Sequence, residues 1–303
     1  MSNPFAFDLK SSPEELLANG EYPLSRRNLS EIAGMIYADA GIYLNETKAS
    51  LVYSRLSKHI RQLGLKGFND YCALVASPAG AAERREMLSH LTTNFTRFFR
   101  ENHHFDHLRA EVLPSLIAKA KNGGRVRIWC AASSDGQEPY SIALTVISLF
   151  PNAADYDFRI LATDIDPKIL ALARAGAYDD TAVETVDPAL KKQFFHEVSI
   201  NGRRKWQVDD RLKKLITFNE LNLIAPQWPF KGQFDVIFCR NVVIYFDEPT
   251  QVKIWTRFAE LLPVGGHLYI GHSERVSGES KNAYDNIGIT TYRYNGQIRG
   301  GRP

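Results

Sequence analysis

From about Arg109 onward, short apolar runs alternate with helix-length segments, and this rhythm limits the fold more than any other feature. The runs are Val126–Cys130 (VRIWC), Phe158–Ala162, Leu215–Phe218, Phe234–Cys239 (FDVIFC), Gly266–Gly271 and Thr291–Tyr294. Between them, Glu111–Lys121, Pro139–Phe150, Asp166–Gly176 and Pro249–Leu262 carry helical spacing, with Pro at first turns and Gly at ends. Runs that are apolar throughout suit strands buried on both faces. Strands alternating with helices predict an α/β fold, a mostly parallel, doubly wound sheet. The length of 303 residues suggests about two domains.

The remainder has another character. Leu29–Leu91 reads as helices only, with a helix start capped at Ser30 and a second apolar face at Leu51, Leu56, Ile60 and Leu63. Residues 1–20 are polar and read as a flexible tail, 21–91 as a helical N-terminal domain, 92–108 as a linker, and 109–303 as the α/β domain. One segment breaks the rhythm: EVSINGRRKWQV (Glu197–Val208) predicts a β-hairpin within a small subdomain at about 193–214. A three-residue loop, Asn201–Arg203, would bring Val198, Ile200, Trp206 and Val208 onto one face, so a bulged turn is expected, with Arg203, Arg204 and Lys205 near the tip.

Composition excludes several classes. The balance of 37 basic against 34 acidic residues is too mild for a chain that coats nucleic acid. No apolar run approaches the length of a membrane span and the N-terminus has no signal-peptide pattern, so a cytoplasmic protein is expected. Cys72, Cys130 and Cys239 lie far apart, which predicts neither a disulfide framework nor a zinc site, and no metal is expected.

In an open parallel sheet, ligands bind beyond the carboxyl ends of the strands. AASSDGQEP (131–139) follows the first strand and brings Glu138 to the next helix. It is either an ordinary tight turn or a close backbone approach to a ligand. The absence of GxGxxG disfavours a dinucleotide, and an acid at a helix N-terminus suits a cationic or hydroxyl-bearing ligand better than a phosphate. After the second strand, Asp164 is either a solvated loop acid or an acceptor for ribose hydroxyls, whereas Asp166 reads as a helix cap. Asn222 and Leu223 follow the third strand. Arg240, Asn241 and Tyr245 follow the fourth, where Cys239 reads as a buried small hydrophobe. Between the domains, TTNFTRFFRE (92–101) interleaves phenylalanines with Thr, Asn and Arg, as either an interdomain plug or a lid carrying Arg100.

These stretches, with ATDID (162–166), FCRNVVIYF (238–246) and LYIGHSE (268–274), resemble the chemotaxis receptor methyltransferases, the CheR family, in order and over most of the chain. The resemblance implies a Rossmann-like S-adenosylmethionine-dependent methyltransferase domain with an inserted β-subdomain, preceded by an all-helical domain. It implies methylation of glutamates on the cytoplasmic helical region of chemoreceptors, releasing S-adenosylhomocysteine. Asn94, Thr96, Arg100, Glu138, Asp164, Asn222, Leu223, Arg240 and Asn241 would hold the cofactor, Glu138 taking its ammonium and Asp164 its ribose. Arg100 and Tyr245 would be the catalytic pair. Arg55, Lys58, His59 and Arg61 on one N-terminal helix would dock the receptor, the only route to the membrane for what would be a monomer. The family usually has an acid where Gln137 stands and Thr or Ser where Asp135 stands. The hairpin lacks the glycine pattern with which some members dock a receptor C-terminal peptide, so that tethering is not carried over. A nicotinamide oxidoreductase, a nucleic-acid methyltransferase and a non-catalytic cofactor-binding regulator are the competing functions; the lack of GxGxxG and of a proline-rich motif after the fourth strand counts against the first two.

Overall fold

The computed structural model describes residues 12–297. They form two compact units, one of residues up to Thr93 together with Tyr245–Asp247, the other of Asn94–Ile244 and Glu248 onward.

The first unit is helical apart from a short antiparallel pair, β1 (Leu16–Ala18) and β2 (Leu24–Ser25). Part of the expected tail is thus a strand; residues 1–11 lie outside the described residues. Four α-helices follow: α1 (Arg26–Ala40), α2 (Ala49–Gln62), α3 (Phe68–Ala76) and α4 (Ala81–Leu91). The first begins four residues before the expected helix start at Ser30, because Ser25 and Asn28 form a reciprocal capping box. Ser25 Oγ accepts from Asn28 N at 3.2 Å. Gly41 ends the helix at φ 70°, a left-handed cap. Leu29, Ile32, Ala33 and Ile36 of α1 are buried, as are Val52, Leu56 and Ile60 of α2. Leu63, expected on that face, is 40% exposed because it lies past the last turn. Tyr245–Asp247 joins this unit through Tyr43 N donating to Tyr245 O at 2.8 Å and Tyr37 OH donating to Asp247 Oδ2 at 2.7 Å.

The second unit opens with α5 (His103–His107), a π-helical turn at Leu108–Val112, and α6 (Leu113–Lys121). Helix therefore begins inside the expected linker, and the irregular turn falls just before Pro114, whose missing N–H breaks the regular ladder. Then come β3 (Val126–Cys130), α7 (Gln137–Leu149), β4 (Phe158–Asp164), α8 (Pro167–Ala175), β5 (Ala177–Tyr178), α9 (Pro188–Phe194), β6 (Phe195–Ile200), β7 (Arg203–Val208) and α10 (Asp210–Lys213). The chain closes with β8 (Ile216–Glu220), β9 (Val236–Cys239), α11 (Glu248–Leu261), β10 (His267–Ile270), β11 (Tyr284–Gly288) and β12 (Thr291–Tyr294). The main sheet has seven strands in the order β11-β12-β10-β9-β3-β4-β8. Its pairs from β10 to β8 are parallel, and β12 pairs antiparallel with both β10 and β11. Side chains of β3 fill both faces: Ile128 and Cys130 join the main core, while Trp129 meets Trp228, Phe230, Phe234 and Phe258. The chain runs from β3 to β4 on one side and from β9 to β10 on the other. The carboxyl ends of β3 and β9 thus flank the switch point where a ligand crevice opens.

The subdomain is a three-stranded sheet, β5-β7-β6. Its hairpin corrects the expected bulge: Ile200 pairs directly with Arg203, leaving a two-residue turn. Asn201 and Gly202 sit at φ 51° and 72°, the left-handed pair a tight hairpin turn demands. Val198 and Ile200 consequently face away from Trp206 and Val208. Only Phe195 and Val208 are fully buried, and Ile200 is 39% exposed. Near the turn, Arg204 and Lys205 pair with Asp180 and Asp179, each at 2.8 Å.

His104 on α5 gives this fold a pH signature. It is fully buried, with Nε2 at 2.9 Å from Thr290 Oγ1, and burial followed by the Arg240 charge pushes its pKa down to about 3. The unfolded chain takes up this proton near pH 6.5 and the folded chain does not. Stability therefore falls as pH drops from about 6.5 toward 3, by up to about 1.4 kcal/mol per pH unit from this group. Urea unfolding at pH 7 and pH 5 should show a shallower loss for His104→Gln than for the wild type.

Candidate functional site

The carboxyl ends of β3, β4, β8 and β9 bring together most of the residues singled out in the sequence. After β3, the turn Ala131–Gly136 uses left-handed backbone at Ser134 (φ 49°) and Gly136 (φ 96°). A Cβ on Gly136 would lie 3.0 Å from both Ala173 Cβ and Tyr178 OH, so this turn packs too closely for a larger residue. Glu138, the second residue of α7, is 8% exposed. Its Oε2 accepts from Arg240 Nη1 at 2.7 Å and its Oε1 from Cys130 Sγ at 3.2 Å. Burial pushes its pKa up, and the guanidinium opposes that.

Asp164 ends β4 and is equally buried. It accepts from Ser134 N at 2.8 Å and Asp166 N at 3.1 Å. Burial raises its pKa, while those N–H groups pull it back. Asp166 caps α8 by accepting from Lys168 N at 2.9 Å. Leu221 N donates to the backbone O of Asp164 at 2.9 Å, which holds the segment leading to Asn222 and Leu223 at the end of β4. Asn222 Oδ1 accepts from Ile224 N at 3.0 Å, and Leu223 is buried.

The segment 94–101 is strapped to the start of α7. Ser134 Oγ donates to Asn94 O at 2.9 Å, Phe98 N to Gln137 Oε1 at 3.1 Å and Phe99 N to Ser141 Oγ at 3.0 Å. Gln137 also donates through Nε2 to Asp135 Oδ2 at 2.9 Å. An amide can accept from Phe98 and donate to Asp135 at once, which an ionised acid cannot. Gln137 and Asp135 are therefore matched to each other. Arg100 turns its guanidinium back on its own loop, donating to Phe95 O at 3.1 Å, and its carbonyl accepts from Arg240 Nη2. Thr96 is half-buried.

Arg240, after β9, has no exposed side-chain surface. It pairs with Glu138 and, at 3.1 Å, with Glu101. Asn241 has φ 58°, and its Nδ2 donates to Glu101 Oε1 at 3.3 Å. Tyr245 ends the 3₁₀ turn Val243–Tyr245, is half-buried and belongs to the helical unit. Cys239 is a buried free thiol whose ionisation burial pushes well up, so it stays a neutral core group.

Sequence reasoning gave no role to Glu101 and Glu274, although both stood inside quoted motifs. Glu274 is 3% exposed and gathers four backbone donors: Asn241 N at 3.0 Å, Val242 N at 2.9 Å, Val243 N at 3.0 Å and Gly271 N at 2.5 Å. It thereby holds the loop after β9 to the loop after β10. A Cβ at Gly271 would meet Asn241 N at 2.7 Å, so only glycine allows that approach. An acid just after a buried strand was the available clue.

The proposed receptor residues on α2 are less free than their spacing suggested. Arg55 donates to Leu91 O at 3.0 Å, Thr92 O at 2.6 Å and Thr93 Oγ1 at 3.0 Å, closing the end of α4. His59 Nε2 lies 2.6 Å from Glu83 Oε1. Arg61 pairs with Glu21, and Lys58 is exposed.

Residues 94–293 match the CheR methyltransferase, SAM binding domain, and residues 27–92 its all-alpha domain. The chain belongs to the CheR methyltransferase family. It is 81% identical over 260 residues to a probable chemotaxis protein methyltransferase of Rhizobium etli, covering 86% of this chain and 97% of that protein. It is 40% identical to the chemotaxis protein methyltransferase of Klebsiella aerogenes (86% and 88% covered) and 39% identical to that of Escherichia coli (84% and 86%). This CheR protein is thus an S-adenosylmethionine-dependent methyltransferase of the chemotaxis type. Among the described residues, no helix is long and apolar enough to cross a membrane. The site's chemistry fits the cofactor: two buried carboxylates and a small-residue turn, with Ser133 Oγ buried and lacking a hydrogen-bond partner at that turn.

Glu274→Gln would turn an amide N–H₂ toward backbone donors and leave at least one unsatisfied. We expect a loss of about 1–3 kcal/mol in urea unfolding, with weaker binding of S-adenosylhomocysteine by calorimetry.

Proposed function

We propose that this CheR protein transfers the methyl group of S-adenosylmethionine to glutamate side chains of chemoreceptors, giving methyl esters and S-adenosylhomocysteine. The observation that carries the reading is the pair of buried carboxylates, Glu138 in the first turn of α7 and Asp164 at the end of β4, beyond the carboxyl ends of adjacent parallel strands within a matched cofactor-binding domain. Glu138 takes the cofactor's ammonium and Asp164 its ribose hydroxyls. Asn94, Thr96, Arg100, Asn222, Leu223, Arg240 and Asn241 complete the cradle.

When bound, S-adenosylmethionine would supply a sulfonium methyl that a carboxylate oxygen attacks in line, the C–O bond forming as the C–S bond breaks and S-adenosylhomocysteine leaves. The acceptor glutamate has an ordinary pKa near 4.3 and is already ionised at pH 7, so no general base is needed. The protein's work is alignment and exclusion of water. Arg100 steers the acceptor or cofactor carboxylate, and Tyr245 hydrogen-bonds the acceptor and sets its angle.

Receptor-bearing membranes incubated with methyl-labelled S-adenosylmethionine and this protein should acquire label that mild alkali releases as methanol. Alkali-stable label would point to methylated nitrogen and overturn the glutamate assignment. On α2, the exposed Lys58 is the docking charge for acidic receptor helices, since Arg55, His59 and Arg61 are engaged within their own unit. Lys58→Glu should raise the KM for receptor severalfold and leave cofactor affinity unchanged; an unaltered KM would remove Lys58 from the docking surface.

A further inference from the structure

A cavity of about 280 Å³ lies at the carboxyl ends of β9 and β10. Val243 and Ile244 from the loop after β9, Glu274, Arg275 and Ser277 from the loop after β10, and Glu248 from the first turn of α11 line it. Glu138 and Asp164 follow β3 and end β4, on the opposite side of the switch point. Glu274 connects the two sides, because it lines the cavity and also accepts from Asn241 N at 3.0 Å. The cavity thus adjoins the strand-end turns without using either cofactor carboxylate.

Arg275 is held ready for a carboxylate. Its Nη1 donates to His272 O at 2.9 Å and to Glu274 O at 2.6 Å, which fixes the guanidinium on its own loop. The side chain is exposed, and among the described residues no acid pairs with it. The edge formed by Nη2 and Nε is therefore left open, and two parallel N–H groups on such an edge match the two oxygens of a carboxylate. Ile244, 48% exposed, adds an apolar wall. Ser277 Oγ is buried with no hydrogen-bond partner, a condition that a ligand or a water relieves. Glu248 shares the cavity and repels further anionic charge. A phosphate or a polyanion fits poorly here; a single carboxylate among neutral and apolar side chains fits well.

We propose that this cavity seats the acceptor helix beside its methylated glutamate, with Arg275 binding a second carboxylate of that helix and Ile244 a neighbouring apolar side chain. Arg275 is then a specificity residue: by holding one acid of an amphipathic acidic helix, it selects which other acid is presented for methylation. This inference rests on the proposed transfer to receptor glutamates.

Steady-state transfer of label from S-adenosylmethionine to receptor-bearing membranes, scored as methanol released by mild alkali, tests it with the full-length protein. If wild type transfers no such label, the glutamate reading fails and this inference fails with it. In Arg275→Gln the KM for receptor should rise about tenfold, while kcat and the calorimetric affinity for S-adenosylhomocysteine hold at wild-type values. The KM of the variant should also climb less steeply with added salt than that of the wild type, because one charge pair is gone. An unchanged KM, or a raised KM with the wild-type salt dependence, would overturn the proposal and leave the glutamate reading intact. Should Arg275→Gln fail to fold, Ile244→Glu decides: it puts an anion on an exposed wall of the cavity and spares the bonds of Arg275. It should raise the receptor KM severalfold, and a wild-type KM there would equally refute the proposal.

Discussion

The guanidinium of Arg240 is wholly buried between Glu138, Glu101 and the carbonyl of Arg100. These partners come from the first turn of α7 and from the strap before α5, while Arg240 itself follows β9. Removing one member of a buried pair typically costs about 3–5 kcal/mol, because the other charge is left without compensation. The strap and both sides of the switch point therefore stand or fall together. Glu274 does a similar job with neutral partners, gathering four N–H groups from the loops after β9 and β10.

The strap has little regular structure, so its side chains fix it. Phe98 meets Tyr178 and Phe195 edge-on, with ring centroids 5.1 and 5.5 Å away, and Phe99 meets Phe105 at 5.3 Å. Left-handed backbone at Phe99 and Glu101 lets aromatic anchors point inward while successive N–H groups reach Gln137 and Ser141. Three phenylalanines among Thr, Asn and Arg were a clear sign that this stretch is more than a spacer. Which phenylalanine anchors was not legible: Phe98 is buried, whereas Phe95 is 77% exposed.

Where sequence reasoning missed, a local rule met a tertiary one. The three-residue loop is expected from a shared apolar face, but the hairpin strands bury only Phe195 and Val208, at their base, so Asn201-Gly202 takes its own preferred tight turn. The edge strand β11, with sequence YDNIG, carries no apolar alternation; pairing with β12 alone makes it a strand. Arg55, Lys58 and His59 share spacing on α2, but α4 occupies Arg55 and His59 and leaves only Lys58 exposed.

By itself, the sequence determined the alternation of strand and helix, the helical module ahead of it, and the strand-end segments in which the site would lie. Those properties depend on local periodicity, on turn residues, and on the rule that parallel strands need buried faces and crossover helices. Only the tertiary structure decided which charges meet. Glu101, Glu138 and Arg240 are separated by scores of residues, and nothing in their spacing marks them as partners. Their pairing follows from the strand order, which sets β9 beside β3, and from burial, which forces each buried charge to find an opposite one.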